Sequence, residues 1–199
     1  TLRLRLYSMG AHAANVSCTM EIENMLKNLT LIGLGLLAGC ANNTQVTNYE
    51  SKGNLATTNP LPCVNATSVN SESTAADIAA GAKECVPQSK YGEAAELIMV
   101  ASAYAHFDTQ RVSDKSAHGA LNALFAKEFG SLKETDRNKL FSSIDALDNN
   151  EPRKKEVCSH LVSVQPPSYF PNYMIAHGMG AFTGSSKEPL IKNFNASEA

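Results

Sequence analysis

Apolar side chains recur at helical spacing from Ala75 to about His177. The strongest pattern runs from Pro87 to about His106, where the apolar positions cover so wide an arc that a central helix is expected. The other stripes predict helices over 75–83, 113–130, 135–147, 150–165 and 171–177. Because no alternation of period two accompanies them, the sequence predicts an all-α fold, a small bundle of five or six short helices.

Residues that start and stop helices mark the limits of these stripes. Ser113 or Asp114 can cap the stripe that Gly130 ends. Asn150 can cap a later stripe, which the proline pair 166–167 interrupts because proline cannot continue a helix. The connections between the helices are therefore short, as expected for a bundle.

The segments on either side of the helices differ from them in composition. Half of the 34 residues in 41–74 are Asn, Ser or Thr, and only three are charged. Such a segment buries too little apolar surface to offset its chain entropy, so 40–74 is predicted to be a disordered tether. The alternative is that part of it, around 55–64, packs against the domain. The helical domain is expected to span 75–183, with a flexible tail over 184–199.

A short apolar run lies before this tether. Residues 29–38 are nearly all apolar or small, Lys27 supplies a positive charge in front of them, and residues 37–40 read Leu-Ala-Gly-Cys. This order is typical of a secretory signal with a small-residue cleavage site. The last four residues resemble the lipobox of bacterial lipoproteins. The resemblance implies a signal peptide over 25–39 and acyl chains on Cys40 that anchor the protein to a membrane.

The same resemblance implies a location. Ala41 stands where an aspartate tends to retain lipoproteins at the inner membrane of enteric bacteria, so an outer-membrane lipoprotein facing the periplasm is expected. The signal would start at Met25, and residues 1–24 are interpreted as a leader outside the fold, with a genuine extension as the alternative. A run of about ten apolar residues is too short for a membrane span, which needs roughly 20. A plain secretory signal or a buried helix remains the other interpretation.

Charge excludes some classes of partner. The 160 residues from Cys40 onward carry 14 lysines and arginines and 17 aspartates and glutamates, a net charge of −3. Since no basic stripe exists, nucleic acid is not an expected partner. Membrane contact is expected through the acyl chains rather than through charge.

One helix also has a local resemblance of its own. Residues 91–104, with Tyr91, Ala94 and Leu97 at intervals of three, resemble a single helix of a tetratricopeptide repeat. No second copy follows at the 34-residue period of such repeats, so an ordinary helix of a small bundle is favoured.

The cysteines are expected to pair, because an exported domain folds in an oxidising compartment. Lipidation of Cys40 leaves Cys63, Cys85 and Cys158, which allow three pairs. Cys85 and Cys158 both belong to the predicted helical domain, so a bond between them is favoured. Cys63 would then be an exposed thiol or an intermolecular link. A Cys63–Cys85 bond, which would pin the tether to the domain, is the main alternative.

One group of polar residues could carry chemistry. His106, Asp108, Asp114 and His118 offer nitrogen and oxygen ligands, and the last two share a helical face at a spacing of four. Their spacing matches no metalloenzyme motif, and Asp114 also suits a helix cap. A structural role is therefore favoured, with Arg111 pairing with Asp108 or Asp114. We expect no catalytic residue, metal or cofactor, and these four residues remain a weak candidate metal site.

The segment 166–174 is the most unusual part of the predicted domain. Three prolines stiffen it, and it carries the large side chains Tyr169, Phe170, Tyr173 and Met174. Aromatic residues are enriched at protein interfaces because they bury a large, rigid area. The segment is therefore a candidate partner-binding patch, and the alternative is that its rings close the core.

Together these features predict a lipid-anchored protein of the cell envelope whose domain binds another, unidentified envelope protein as an adaptor or assembly factor. One alternative is a metal-binding protein or enzyme that uses the residues from His106 to His118. Another is a periplasmic inhibitor or immunity-type lipoprotein.

Overall fold

The computed structural model describes residues 3–6, 18–21, 51–185 and 187–196. The predicted signal peptide and Cys40 lie outside these residues. Near the start of the chain, β1 (Arg3–Leu6) and β2 (Cys18–Glu21) form a short antiparallel pair, with Arg3 opposite Glu21. Both strands fall within 1–24, the segment that the sequence interpretation leaves out of the fold.

Seven α-helices account for most of residues 75–183, which confirms the all-α class. They are α1 (Ala75–Cys85), α2 (Tyr91–Arg111), α3 (Ala120–Phe129), α4 (Glu134–Asp148), α5 (Glu151–Ser163), α6 (Asn172–Ile175) and α7 (Met179–Thr183). Short 3₁₀ helices occur at Ala66–Ser68, Val86–Gln88 and Lys115–Gly119.

The core lies around α1 and α2, which make the most extensive contact of any two described helices. Both bury many alanines, and small side chains let two helix backbones approach closely. The start of α1 is fixed by a capping box in which Thr74 Oγ1 accepts from the Asp77 amide and the Asp77 carboxylate accepts from the Thr74 amide. Around this pair, α3 packs against α1, α4 against α2, and α5 against α4.

An ion pair attaches α5 to the central helix. Arg153 Nε and Nη2 donate to the two carboxylate oxygens of Glu96, at 2.6 and 2.7 Å. This two-pronged geometry is the strong form of an arginine–carboxylate contact. The Glu96 carboxylate is the largest of the causes that raise the pKa of Arg153 above its ordinary value.

The predicted helices correspond closely to the observed ones. Asn150 caps α5, as expected, and Asp114 caps a 3₁₀ turn that leads into α3 rather than α3 itself. The last predicted helix, 171–177, shortens to α6 because Pro171 precedes it and Gly178 follows. Helix α7 was not predicted, since its glycine and threonine give no clear apolar stripe.

The prediction of a disordered tether is wrong for residues 51–74. We call residues 51–69 the N-terminal arm: it packs on the bundle and buries Leu55, Ala66 and Val69. One buried carboxylate organises much of it, because Asp77 Oδ1 accepts from the amides of Thr58 and Asn59, both at 2.8 Å. The high content of Asn, Ser and Thr is used in turns and caps here rather than in a solvated coil.

The prediction of a flexible tail is likewise wrong for residues 187–194, which we call the C-terminal strap. Its backbone pairs with the end of α2: Ile191 donates to the carbonyl of Arg111, and Ser113 donates to that of Pro189. Phe194 meets the Phe107 ring edge-on, with 5.4 Å between the ring centroids. The folded body therefore extends past 183.

No helix in the described part of the chain is long and apolar enough to cross a bilayer.

Candidate functional site

The polar group singled out in the sequence centres on a buried carboxylate. Asp108, near the end of α2, has no exposed surface, and both of its oxygens are occupied. Oδ1 accepts from Arg111 Nε at 2.8 Å, and Oδ2 accepts from the hydroxyls of Tyr169 and Tyr173 at 2.9 and 2.8 Å. We call these four residues the Asp108 cluster. A buried charge that is paired and fully hydrogen-bonded in this way is an internal support.

Arg111 pairs with Asp108, as predicted, and it also contacts a segment that is distant in the chain. Its Nη1 donates to the carbonyl of Pro167 at 3.2 Å, and its guanidinium lies 4.9 Å from the centre of the Tyr169 ring. The Phe107 ring lies on it too, at 5.1 Å. Arg111 therefore fixes the proline-rich segment against α2.

Burial dominates the protonation of the Asp108 cluster. Desolvation raises the pKa of Asp108 above its ordinary value, although Arg111 and the two tyrosine hydroxyls favour the charged form. Desolvation also raises the pKa of Tyr169 and of Tyr173 well above the ordinary tyrosine value. Tyr104, edge-on to Tyr169, has a pKa raised to about 12 by burial. Both tyrosines of the cluster thus stay protonated as hydrogen-bond donors.

The other three candidate metal ligands lie in separate surroundings. Asp114 accepts from the amide and hydroxyl of Ser116 and from the amide of Gly180, and the Ser116 hydroxyl is the largest cause that lowers its pKa. His118 Nε2 donates to the carbonyl of Val112 at 3.0 Å. His106 is half-buried, and desolvation lowers its pKa.

These residues do not converge on one point. Within the described residues, no group of three or more His, Cys, Asp or Glu side chains is placed to hold a metal ion. The geometry therefore supports the structural interpretation of the four candidates. Their spacing in the sequence could not reveal this, because the partners of Asp108 lie 61 and 65 residues away in the chain.

The prediction of a partner-binding patch is wrong for most of its residues. Tyr173 is 1 % exposed and Met174 fully buried, so both belong to the core, and the Tyr169 hydroxyl points inward to Asp108. Phe170 alone of the four is well exposed, at 55 %. The two tyrosines face inward because their hydroxyls donate to the buried Asp108 carboxylate.

The favoured disulfide is also wrong. Cys63 and Cys85 form the bond, with a Cα–Cα distance of 4.8 Å. Cys158 is disulfide-bonded as well, so it is not a free thiol. The bond that the sequence kept as an alternative is thus the observed one, because the arm that carries Cys63 is part of the folded body.

An open groove of about 710 Å³ lies where the strap, α7 and the turn after α2 meet. Sequence patterns gave no sign of it, because two segments far apart in the chain, around 113–116 and 179–188, build it. Hydroxyls and exposed charges dominate its lining, which comprises Ser113, Asp114, Ser116, Met179, Gly180, Thr183, Ser185, Lys187 and Glu188. Among the described residues that line it there is no histidine or cysteine, the usual general base and the strongest side-chain nucleophile.

No protein-family model, curated protein or solved structure matches the chain.

Proposed function

We propose that this protein is a lipid-anchored component of the bacterial cell envelope and that its helical domain binds another protein as an adaptor or assembly factor. The anchor rests on the Leu-Ala-Gly-Cys motif at 37–40 and the apolar run before it. The binding role rests on the site geometry.

One observation carries the binding role: the Asp108 carboxylate is buried and spends both oxygens on internal donors. A general acid or base must reach a proton on its substrate within hydrogen-bond distance. Asp108 meets no solvent, and Asp114 is occupied by Ser116 and Gly180. The two candidate carboxylates therefore stabilise the fold through internal hydrogen bonds, which favours a binding function over catalysis.

The disulfides favour an exported protein. Structural disulfides persist in oxidising compartments such as the periplasm and are rare in the reducing cytosol. The Cys63–Cys85 bond joins the arm to the end of α1, where it is part of the folded body. This agrees with a chain that folds after export.

The binding role is tested by photo-crosslinking in intact cells. A photoreactive residue replaces Lys187, which is exposed on the strap side of the groove, and a control variant carries it at Ala146, which is exposed on α4. We expect one stoichiometric envelope protein to crosslink at Lys187 and not at Ala146. Equal crosslinking at both sites, or none at either, would count against a defined partner at the groove.

The same experiment separates the remaining functions. A partner that is an enzyme, and loses activity when mixed with this protein, would make it an inhibitor of the immunity type. Purified protein that retains a stoichiometric metal, with no partner recovered, would instead favour a metal-binding function.

The anchor has its own test, mass spectrometry of the mature N-terminus from the membrane fraction. We expect an acylated Cys40 as the first residue, and a Cys40→Ser variant that leaves the membrane fraction. A non-reducing peptide map that links Cys158 to Cys40 or to Cys18 would contradict the anchor, because the Cys40 sulfur cannot hold both a disulfide and a thioether, and Cys18 precedes the proposed cleavage site.

A further inference from the structure

The length of chain between the proposed anchor and the domain is short. Because the folded body begins by Ser51, only eleven peptide steps separate Cys40 from it. Whatever conformation these residues take, they span at most about 40 Å. The 34-residue tether expected from composition would have allowed about three times that reach. The surface around Ser51 therefore stays within about 40 Å of the lipid.

The structure shows which surface this is. The N-terminal arm begins with a turn in which the Asn54 amide donates to the Ser51 carbonyl at 3.0 Å. The arm then runs along α6. Leu55 donates to the carbonyl of Tyr173 at 3.1 Å, and His177 Nδ1 donates to Asn54 Oδ1 at 2.9 Å. Residues 51–55 thus lie directly against 172–177.

Exposed apolar side chains flank the same segment. Phe170 lies two residues before α6 and is 55 % exposed, and Met179 lies two residues after His177 and is 59 % exposed. Two residues of backbone span no more than roughly 7 Å. The backbone of Phe170 and Met179 therefore lies close to the first turn of the arm, and we call these two exposed side chains the apolar face.

We propose that the apolar face rests on the membrane that holds the acyl chains, so that the domain is oriented on the lipid as well as tethered to it. This inference rests on the proposed anchor. Aromatic and long apolar side chains favour the interface between headgroups and acyl chains. Met179 also lines the groove, so with this face on the lipid only the side of the groove formed by the strap and the turn after α2 is left to a protein partner.

The chain offers a direct test because it contains no tryptophan. The full chain is made with its own signal sequence, purified from membranes and placed in vesicles that contain bromolipids, which quench tryptophan on contact. Separate variants carry Phe170→Trp, Met179→Trp and, as a matched control on α5, Val162→Trp. Val162 is 64 % exposed but belongs to a helix away from the arm's first turn.

We expect bromolipid to remove most of the emission of the Phe170→Trp and Met179→Trp variants and little of that of the Val162→Trp variant. Equal quenching in all three variants, or none in the first two, would overturn the orientation. Protection of the first two variants together with crosslinking between copies would assign the apolar face to a second copy instead.

Flotation of the vesicles distinguishes this failure from failure of the anchor. A chain that floats with the vesicles and carries acylated Cys40, yet shows no difference between the variants, contradicts the orientation alone. A chain that does not float contradicts the anchor, and the orientation falls with it.

Discussion

At the scale of single residues, the Asp108 carboxylate determines how the end of α2 is held. It joins side chains from two segments that lie far apart in the chain, and it does so without contact with water. A buried charge is costly unless its hydrogen bonds are complete, so each donor around it matters more than a similar donor at the surface. The cluster should therefore respond strongly to loss of the carboxylate that accepts these hydrogen bonds and moderately to loss of one donor.

Replacing Asp108 by Asn is expected to lower the free energy of unfolding by about 2–4 kcal/mol, because an amide nitrogen takes the place of one oxygen and cannot accept from the two tyrosine hydroxyls. The measurement is urea denaturation followed by circular dichroism. Tyr173→Phe serves as the matched comparison and should cost about 1–2 kcal/mol, since it removes one donor and leaves the other hydrogen bonds of Asp108. Equal losses in the two variants would show that only one tyrosine hydroxyl depends on the carboxylate.

The pH dependence of Asp108 has a defined sign. Its pKa is raised in the folded state, so between the ordinary value of 3.8 and the raised value the folded chain holds more protons than the unfolded chain. The contribution of this group to stability is then complete below 3.8 and is lost as the pH rises through the raised pKa. We expect the stability of wild type minus that of Asp108→Asn to be largest in acid and to shrink towards neutral pH. A difference that grows with pH would mean that pairing with Arg111 outweighs burial.

At the scale of elements, the fit of the N-terminal arm on α1 depends on a missing side chain. A Cβ at Gly81 would lie 2.9 Å from the carbonyl oxygen of Pro62 and 3.0 Å from Leu61 Cβ. The arm can lie this close only because the helix presents hydrogen at that position. Two residues further on in the arm, the Cys63–Cys85 bond holds the same contact covalently.

Substituting Gly81 by Ala is expected to destabilise the protein by about 1–3 kcal/mol, because the added methyl group meets backbone that the disulfide prevents from moving away. Gly92→Ala on α2 is the control, since nothing lies within 4 Å of its Cβ position. Alanine there should be neutral or stabilising by up to about 1 kcal/mol. Thermal unfolding of both variants measures the difference. Should Gly81→Ala stabilise as well, the arm would not pack as described.

How far the sequence predicts these elements depends on the range of the interaction. Stripes such as Leu140–Ile144–Leu147 and caps such as Asn150 act over a few residues, so the helices could be read from them. The arm could not, because its order comes from Asp77, about 19 residues away from the amides that it binds. The same holds for the Asp108 cluster: the pairing with Arg111, three residues on, was predictable, whereas the tyrosines were not.

At the scale of the whole molecule, the folded body includes segments beyond both ends of the helical region. The arm and the strap each add backbone hydrogen bonds to the bundle, the arm at α1 and α6 and the strap at the turn after α2. The limits of the domain are therefore set by contacts that composition does not show. This shortens the distance over which the proposed anchor can act.

A chain that ends at Ser185 tests the role of the strap. Loss of the Phe107–Phe194 contact should lower stability by about 1 kcal/mol, in the range of aromatic pairs. Hydrogen exchange should accelerate at the Ser113 amide, which loses its acceptor on Pro189. The Val112 amide, which donates to the backbone carbonyl of Asp108 at the end of α2, is the internal control and should keep its protection. Unchanged exchange at Ser113 would contradict a packed strap.

The buried tyrosines also give the protein an optical signal of its own. With no tryptophan, its near-ultraviolet absorbance comes mainly from tyrosine. In a buffer between the ordinary tyrosine pKa of 10.0 and the value of about 12 for Tyr104, the folded chain keeps Tyr104, Tyr169 and Tyr173 protonated, whereas an opened chain ionises them. The phenolate absorbance gained in alkali above that of the other tyrosines therefore reports the fraction of molecules in which these three rings have become exposed, without any added dye.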